Sequence, residues 1–534
     1  MRGFLRYAYQ LSYQQPVRED DNAMNNMDTK AALRYHDGTK HPDGDLMDSR
    51  HVWDQANTPL LFKSYADIEA VPLSLNAPPP ETPALSAIST SVKPDASAQA
   101  LDIGALSKTL HFSAGVTKTI SRPTGDYPFR AAACTGALYH IELYVVCGDI
   151  PGLEAGVYHY DPRESSLKRL RKGDYRRVVV DSSGGEPSVA TAPAIIICTD
   201  VIWRNAIKYQ AREYRHAFWD SGTILSNTLA VASANGLPAK VVAGFADDSI
   251  SKLLSLDTQH EVALALVSLG YAPDEIAAPS PDVSPLTLKA TPVSDDERDF
   301  PAIREMHEAS SLASGEEVAS WRKSLPSEPM PSPSGQLVPL QPDAEGDMSQ
   351  DSVERVIVRR GSTRQFSQDS IGFQQLSTAL EQATQGLSAD FLEPFGAALN
   401  DLYLIVNAVD GLASGAYVFH RDSRALELLM AGDFRQMAGY LDLNQALAAD
   451  ASVNVFFLSN LAPVLKTFGN RGYRAAQLDA SITAGRLYLA AYAQGFGASG
   501  LTFFDDAVTD FFSPHAKGKS VMFLVALGRR MRRG

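Results

Sequence analysis

The chain repeats itself. The run from Arg212 to Ala239 returns from Arg471 to Ala498, so that Tyr214-Arg215 matches Tyr473-Arg474, Asp220 matches Asp479 and Gly236 matches Gly495, each 259 residues on. In each copy the aspartate opens a long Ala/Leu-rich run without proline, and a glycine closes it. That is the pattern of a helix buried on most sides and stopped by a C-terminal glycine. The same offset relates Leu-Tyr-Val-Val at 143–146 to Leu-Tyr-Leu-Ile at 402–405, and Gly152, Gly156 and Tyr158 to Gly411, Gly415 and Tyr417. It also relates Leu167, Leu170, Gly173, Asp174 and Arg176 to Leu426, Leu429, Gly432, Asp433 and Arg435. Downstream, Phe245 and Asp247 answer Phe504 and Asp506, while Ser-Leu-Gly at 268–270 answers Ala-Leu-Gly at 526–528, one residue out of step. So long a register marks a duplicated domain, with a period far too long for a solenoid.

Length alone, at 534 residues, would suggest three or four domains. The duplication reads more simply, as two domains with an N-terminal extension and a long linker. An apolar content of 45% with 21% charge is that of a globular protein with a sizeable core. The net charge of −14 argues against nucleic-acid binding. Cys134, Cys147 and Cys198 all fall in the first repeat and suggest neither a disulfide framework nor a zinc site, which fits a reducing cytoplasm. No signal peptide or membrane-spanning run is expected.

Taken in order, residues 1–32 are polar and patternless and read as a flexible N-terminus. Residues 33–99 form an arm carrying RYHDGTKH and TPLLFKSY, then a proline- and serine-rich connector. The first domain spans 100–272: a helix from Leu101, a glycine-bearing loop at 134–140, a strand at 141–146, a hairpin at 156–170, a buried strand from Ala194, the duplicated helix, and a last strand at 261–270. Residues 273–350 are rich in Pro, Ser and acid and read as a linker with one surface helix between Phe300 and Lys323. The second domain, 351–534, repeats the order of the first. Mixed helices and strands with long buried helices imply an α+β sandwich.

Chemistry concentrates in a few places. RRGSTRQF, Arg359 to Phe366, sets Arg359, Arg360 and Arg364 with Ser362 and Thr363 within six residues. Guanidinium forks and hydroxyls suit a phosphate and a polar ring edge. Taken alone, the motif reads as readily as a solvated helix boundary.

This motif, with a Gly-rich loop, a YR…D helix and a G-(L/F)-G-A close, resembles the flavin-dependent nitroreductase superfamily. RYHDGTK, RAAACTGALYHIELYVV, GVYHYDP, KYQAREYRHAFWDSG and ASGLTFFDD narrow the likeness to the SagB-type (thiazole/oxazole) dehydrogenases and their tandem relatives. The resemblance implies two nitroreductase-like domains fused into an intramolecular pseudo-dimer, a monomer by chain count, with FMN in the interface between repeats. It assigns the cofactor to Arg359, Arg360, Ser362 and Arg364, to Ser499-Gly500-Leu501 after the second long helix, and to the loop Cys134-Thr135-Gly136-Ala137 of the first repeat. Arg529, just after the last strand, stands where the superfamily often places a phosphate-binding base; a charged tail is the equal alternative.

The two repeats divide these parts. The first has the Gly136–Tyr139 loop but no arginine between Arg50 and Arg122; the second has the arginines but GAALNDLY at the loop position. One FMN site built from both halves is the economical reading. The resemblance also assigns proton transfer to Lys208 and Tyr209, aligned with Thr467 and Phe468 in the second repeat; a surface lysine beside a core tyrosine is the plainer alternative. The chain departs from the family at Ala133-Cys134, where the loop usually carries Pro-Ser, and at His140, where a proline usually follows the tyrosine. Cys134 reads as a small buried residue before it reads as a nucleophile. The function implied is oxidation of a peptide azoline to an azole. A reductase of nitro or quinone compounds using NAD(P)H, or a degenerate partner subunit without catalysis, are the other readings.

Overall fold

A computed structural model of the chain describes residues 25–43, 57–75, 81–123, 125–274, 276, 279–323 and 333–531. Most of the stretch expected to be a flexible N-terminus, and Trp53 of the arm, lie outside them.

Each repeat folds into a seven-stranded sheet whose neighbours all run antiparallel, flanked by helices. The first sheet runs Ala70–Pro72, Ser166–Lys172, Gly156–Asp161, Ile141–Cys147, Ala194–Val201, Glu261–Leu269 and Ala239–Val242 in spatial order. The second runs Gln336–Pro339, Ala425–Ala431, Gly415–His420, Asp401–Val406, Val453–Ser459, Ser520–Gly528 and Gly497–Leu501. The order is the same, so the duplication holds at the level of topology. Apart from half-buried Ser520, the central strands Ile141–Cys147, Ala194–Val201, Val453–Ser459 and Ser520–Gly528 are buried throughout, which is why their sequences are largely apolar runs rather than alternating ones.

The two long helices, Glu213–Ala234 and Arg471–Ala493, pack on each other in the middle of the molecule. They lack a polar face because each is covered on every side: every residue from Arg471 to Ala493 is buried. A buried ion cluster closes each end of this pair. Arg212 and Arg215 donate to Asp505 of the second repeat at 2.9 and 2.6 Å, and Arg471 and Arg474 donate to Asp247 of the first at 2.6 and 2.9 Å. Arg212 also lies over the Phe503 ring at 5.3 Å, as Arg471 lies over Phe245 at 4.3 Å.

These contacts correct the register read from sequence. Asp247 corresponds to Asp505 and Phe245 to Phe503, not to Asp506 and Phe504. Val242 pairs with Leu266 as Leu501 pairs with Leu524, so the 259-residue offset survives to Val242 and Leu501 and has become 258 by Leu266 and Leu524. One residue is therefore missing from the turn that follows Leu501.

The linker is not a spacer with one surface helix. Two helices form, Pro301–Ala309 and Gly315–Trp321, and both bury apolar side chains: Ile303 and Met306 in one, Val318 and Trp321 in the other. His307 and Ser310 of this segment bond Arg474 through the His307 carbonyl (2.7 Å) and the Ser310 hydroxyl (2.7 Å). The arm does the same on the other side. Its helix, Lys30–Gly38, packs on Pro301–Ala309, the Thr39 hydroxyl accepts from Arg215 at 3.0 Å, and the His36 carbonyl accepts from the same guanidinium at 2.5 Å. Each sheet also takes its outermost strand from arm or linker, Ala70–Pro72 or Gln336–Pro339. Arm and linker are thus counterparts, and each belongs to the domain body.

Candidate functional site

The loop after Arg130 enters by a hairpin, Val116–Arg122 and Gly125–Arg130, with no counterpart in the second repeat among the described residues. It then turns sharply, with Gly136, Ala137 and Tyr139 all at positive φ (63°, 55° and 50°). Glycine is required at 136 for space as well: a Cβ there would lie 3.0 Å from the Tyr209 hydroxyl. Asp220, about two turns into the buried N-terminal half of the first long helix, ties the loop down. It accepts from the Thr135 amide at 2.8 Å, the Thr135 hydroxyl at 2.9 Å and Cys134 Sγ at 3.0 Å. Burial pushes the Cys134 thiol well above its ordinary range, and Asp220 pushes it further. Such a thiol is a buried donor and a poor nucleophile.

The second repeat supplies the facing wall. Helix Val353–Arg359 ends, and Arg360 crosses to the first repeat, where its Nε and Nη2 donate to the Ala131 carbonyl at 3.1 and 2.9 Å. Its guanidinium lies 5.7 Å from the Tyr488 ring centre, and its Nη1 is buried without a partner. Ser362 meets the Tyr488 hydroxyl at 3.5 Å, the same hydroxyl takes the Gly500 amide, and Thr363 meets the Tyr492 hydroxyl at 3.3 Å. Strand Gly497–Leu501 runs beside them, with Ser499 buried and Gly500 and Leu501 half-buried. Arg364 is exposed, and its charge reaches Lys208 and Tyr209 of the first repeat. Lys208 is solvent-exposed yet half surrounded by protein; that partial burial lowers its pKa, and Arg364 lowers it further. Its amine stands 4.9 Å from the Tyr209 ring centre. Burial, then Asp220 and Cys134, hold the Tyr209 hydroxyl above its usual value.

The structure therefore brings Gly136, Tyr209 and Lys208 of the first repeat near Arg364 of the second, with Arg360 and Ser362 on the facing segment. It turns two other arginines away. Arg359 donates to the Tyr492 carbonyl at 2.7 Å and pairs with Asp351 at 2.6 Å. Arg529 bonds the Ser370 carbonyl at 3.3 Å and Gln375 at 3.1 Å inside its own repeat. Its neighbour Arg530 lies over Tyr492 at 5.2 Å, against Gly497 and so beside Thr363. Alternation along the extended chain after Gly528 is the signal that separates the two.

At the pseudo-equivalent position the two repeats are bonded together along the strand. Val241 donates to the Ser388 carbonyl and Asp390 to the Val241 carbonyl, both at 3.0 Å, so the loop of the second repeat pairs directly with the strand of the first. Strand Gly497–Leu501 makes no such bond to the first repeat among the described residues. Trp321 of the linker packs on Phe468 at 5.2 Å and donates to its carbonyl at 2.9 Å. Neither stretch 89–107 nor 395–403 holds an arginine, but Arg322 enters from the linker, 3.3 Å from both Glu186 and Asp390, and Arg486 reaches the Gln385 carbonyl at 2.6 Å. A cavity of about 620 Å³ remains at this edge, between Lys240, Tyr271, Arg322 and Asp390.

Two seven-stranded antiparallel sheets on a shared helix pair define a fused α+β pseudo-dimer. The chain belongs to the nitroreductase family, whose model matches residues 90–271 and 357–529. A crystal structure of a presumed nitroreductase from Anabaena variabilis superposes with a TM-score of 0.74 at 25% identity, covering 94% of this chain and 99% of that one. Microcin B17-processing protein McbC of Escherichia coli is 29% identical over 145 residues, 26% of this chain and 53% of that protein. Trifolitoxin-processing protein TfxB of Rhizobium leguminosarum is 29% identical over 171 residues, 31% of this chain and 46% of that protein. The matches span about half the length of these two relatives. Together with the two family matches, they make the chain a tandem nitroreductase-family protein. No helix among the described residues is long and apolar enough to cross a membrane.

Proposed function

We propose that the chain is an FMN-dependent oxidoreductase that oxidises an azoline ring of a peptide to the azole, with one cofactor held between the repeats. The observation that carries this reading is the meeting of complementary halves: Arg360 of one repeat bonds the loop of the other, and Arg364 faces Lys208. The residues present fit the group. Arg360 has a buried Nη1 with no partner, Arg364 is exposed, and Ser362 offers a hydroxyl beside them. A protein of net charge −14 needs such local cations to hold a phosphate dianion. Arg530 joins them on this reading, whereas Arg359 and Arg529 serve the fold. When bound, FMN would supply a ring able to accept a hydride from a carbon of the azoline.

The chain's own residues supply the rest. Converting azoline to azole removes a hydride and a proton from neighbouring ring atoms, so a base must stand at the cleft. Lys208 suits that task because partial burial and Arg364 both favour its neutral amine. Tyr209, held protonated, donates rather than accepts, and its contact with Gly136 places its hydroxyl at the loop. The kinship with two peptide-processing proteins favours a peptide substrate. NAD(P)H-driven reduction of nitro or quinone compounds is the second reading, carried by the nitroreductase-like fold itself. A partner subunit without catalysis is the third.

The test is direct. Purified protein should be yellow with one FMN per chain, and an azoline-bearing peptide should lose two hydrogens on incubation. Colourless protein that takes up no added FMN would overturn the reading. Turnover with NADH or NADPH and a nitroarene, without azoline oxidation, would select the second.

A further inference from the structure

Behind the Cys134–Ala137 loop lies a group of side chains that the proposed reaction does not use. His140, Asp200, Glu213 and Asp220 are all buried, the first three completely or within 0% exposure. His140 Nε2 lies 2.8 Å from Asp220 Oδ2, and its Nδ1 lies 2.7 Å from Asp200 Oδ1 and 3.3 Å from Glu213 Oε1. No lysine or arginine pairs with any of the three carboxylates among the described residues. We propose that His140 Nδ1, Asp200 and Glu213 bind a divalent transition-metal ion, zinc or manganese, that stiffens the cofactor loop from beneath.

Four observations converge on this. The donor atoms of His140, Asp200 and Glu213 all lie within 4.8 Å of one another, close enough for one ion. With metal–ligand bonds of about 2.0–2.2 Å, neighbouring donors at right angles stand about 3 Å apart, as the Nδ1–oxygen separations do. Asp200 Oδ2 and both Glu213 oxygens have no hydrogen-bond partner although fully buried. One proton shared between the two carboxyl groups would engage two of these oxygens and leave the third bare; an ion takes several lone pairs at once. Asp220 accepts at the opposite ring nitrogen, the arrangement by which a carboxylate fixes the tautomer and orientation of a metal-ligating histidine.

The cluster is also particular to one repeat. At the equivalent positions of the second stand Leu399, Ser459 and Gly472, none of which could take these places, and only Asp479 is kept. Asp220 links the two shells, because the carboxylate that holds His140 also holds Thr135 and Cys134. One imidazole with carboxylates and no thiolate selects a borderline ion over a soft one.

Elemental analysis of the full-length protein, purified in metal-scavenged buffer, tests the site without reference to flavin or turnover. Near-stoichiometric zinc or manganese is expected, falling to background in Glu213→Gln, a shape-conserving change. Prolonged chelation should lower the thermal midpoint of the wild type, and zinc or manganese, but not magnesium, should restore it. A folded wild type with only background metal would overturn the proposal. So would metal retained in full by Glu213→Gln. If that variant does not fold, the wild-type metal content decides alone. Metal-free protein in which Glu213→Gln is as stable as the parent would instead assign an imidazolium at His140 beside a protonated Glu213.

Discussion

Gly222 of the first long helix lies against Ser481 of the second, and the two hold equivalent positions in their repeats. A Cβ on Gly222 would fall 1.8 Å from Ser481 Oγ, and one on Gly485 would fall 2.6 Å from Ser226 Cβ, another equivalent pair. A residue that touches its own counterpart marks the pseudo-two-fold axis, as in an isologous dimer. The Ser481 hydroxyl donates to the Phe218 carbonyl at 2.9 Å, and Trp219 donates to Gln477 at 2.7 Å. The fusion has therefore kept a dimer interface inside one chain.

Close approach at that point should be intolerant of bulk. Gly222→Leu is expected to cost about 1–3 kcal/mol by overpacking, read from denaturant unfolding. Ser481→Gly in the same chain should recover part of the loss, since it clears the Oγ in the way. An unchanged midpoint for the single variant would mean that the helices do not cross there.

The arginine clamps predict a pH dependence. Asp505 is held below the ordinary carboxylate range by Arg212 and Arg215 against the opposing effect of burial, and Asp247 by Arg471 and Arg474. Each folded pKa is depressed, so the stability they contribute is full above the unfolded value of about 3.9 and is lost as pH falls through the folded one. Asp505→Ala leaves two arginines buried without their partner and should cost about 3–5 kcal/mol at neutral pH. The same change should flatten the acid limb of the stability curve. A variant with the parent's acid limb would remove Asp505 from this account.

The composite cradle makes an asymmetric claim about flavin. Arg364→Ala should weaken FMN by about 1.5–3 kcal/mol, one to two decades, because it removes a charge-assisted contact. Arg359→Ala should leave flavin content unchanged and lower stability instead, since that guanidinium is spent on Asp351 and Tyr492. Flavin quantitation by absorbance separates them. Two FMN per chain would sink the single-cleft reading, because on the other side the Val241–Ser388 pairing joins the repeats and Trp321 packs on Phe468.

Much of this was legible in the sequence where burial is continuous. The runs Ile195–Cys198 and Val521–Leu527 can only be inner strands, and the long helices announce themselves by lacking a polar face. The arm and linker were not legible because their duplication has decayed to His36 and Thr39 against His307 and Ser310, residues that make the same bonds to Arg215 and Arg474. A His-x-x-(Thr/Ser) pair is too short to stand out in a proline-rich stretch. Trp321 carried a signal, a lone tryptophan among polar neighbours, but its role depends on Phe468, far along the chain. Among the arginines, composition marks the segment, and only the chain direction decides which side chain faces the cleft.

Lys208 gives the sharpest test of chemistry at the cleft. Lys208→Ala should stay yellow, because its amine is exposed and its contact with the Tyr209 ring adds little to the fold, but should turn over slowly, by the factor of about 10²–10⁴ that a general base contributes. Arg364→Gln, assayed at saturating FMN, should move the basic pKa governing turnover upward: removing a nearby positive charge restores the protonated amine's stability. Tyr209→Phe removes the hydroxyl that stands 3.0 Å from where a Gly136 Cβ would be, and should lower the rate while leaving that limb in place. The sign is the discriminating feature, since a merely structural lysine would leave the pH profile of Arg364→Gln unmoved. Full activity in Lys208→Ala would end its assignment as the base.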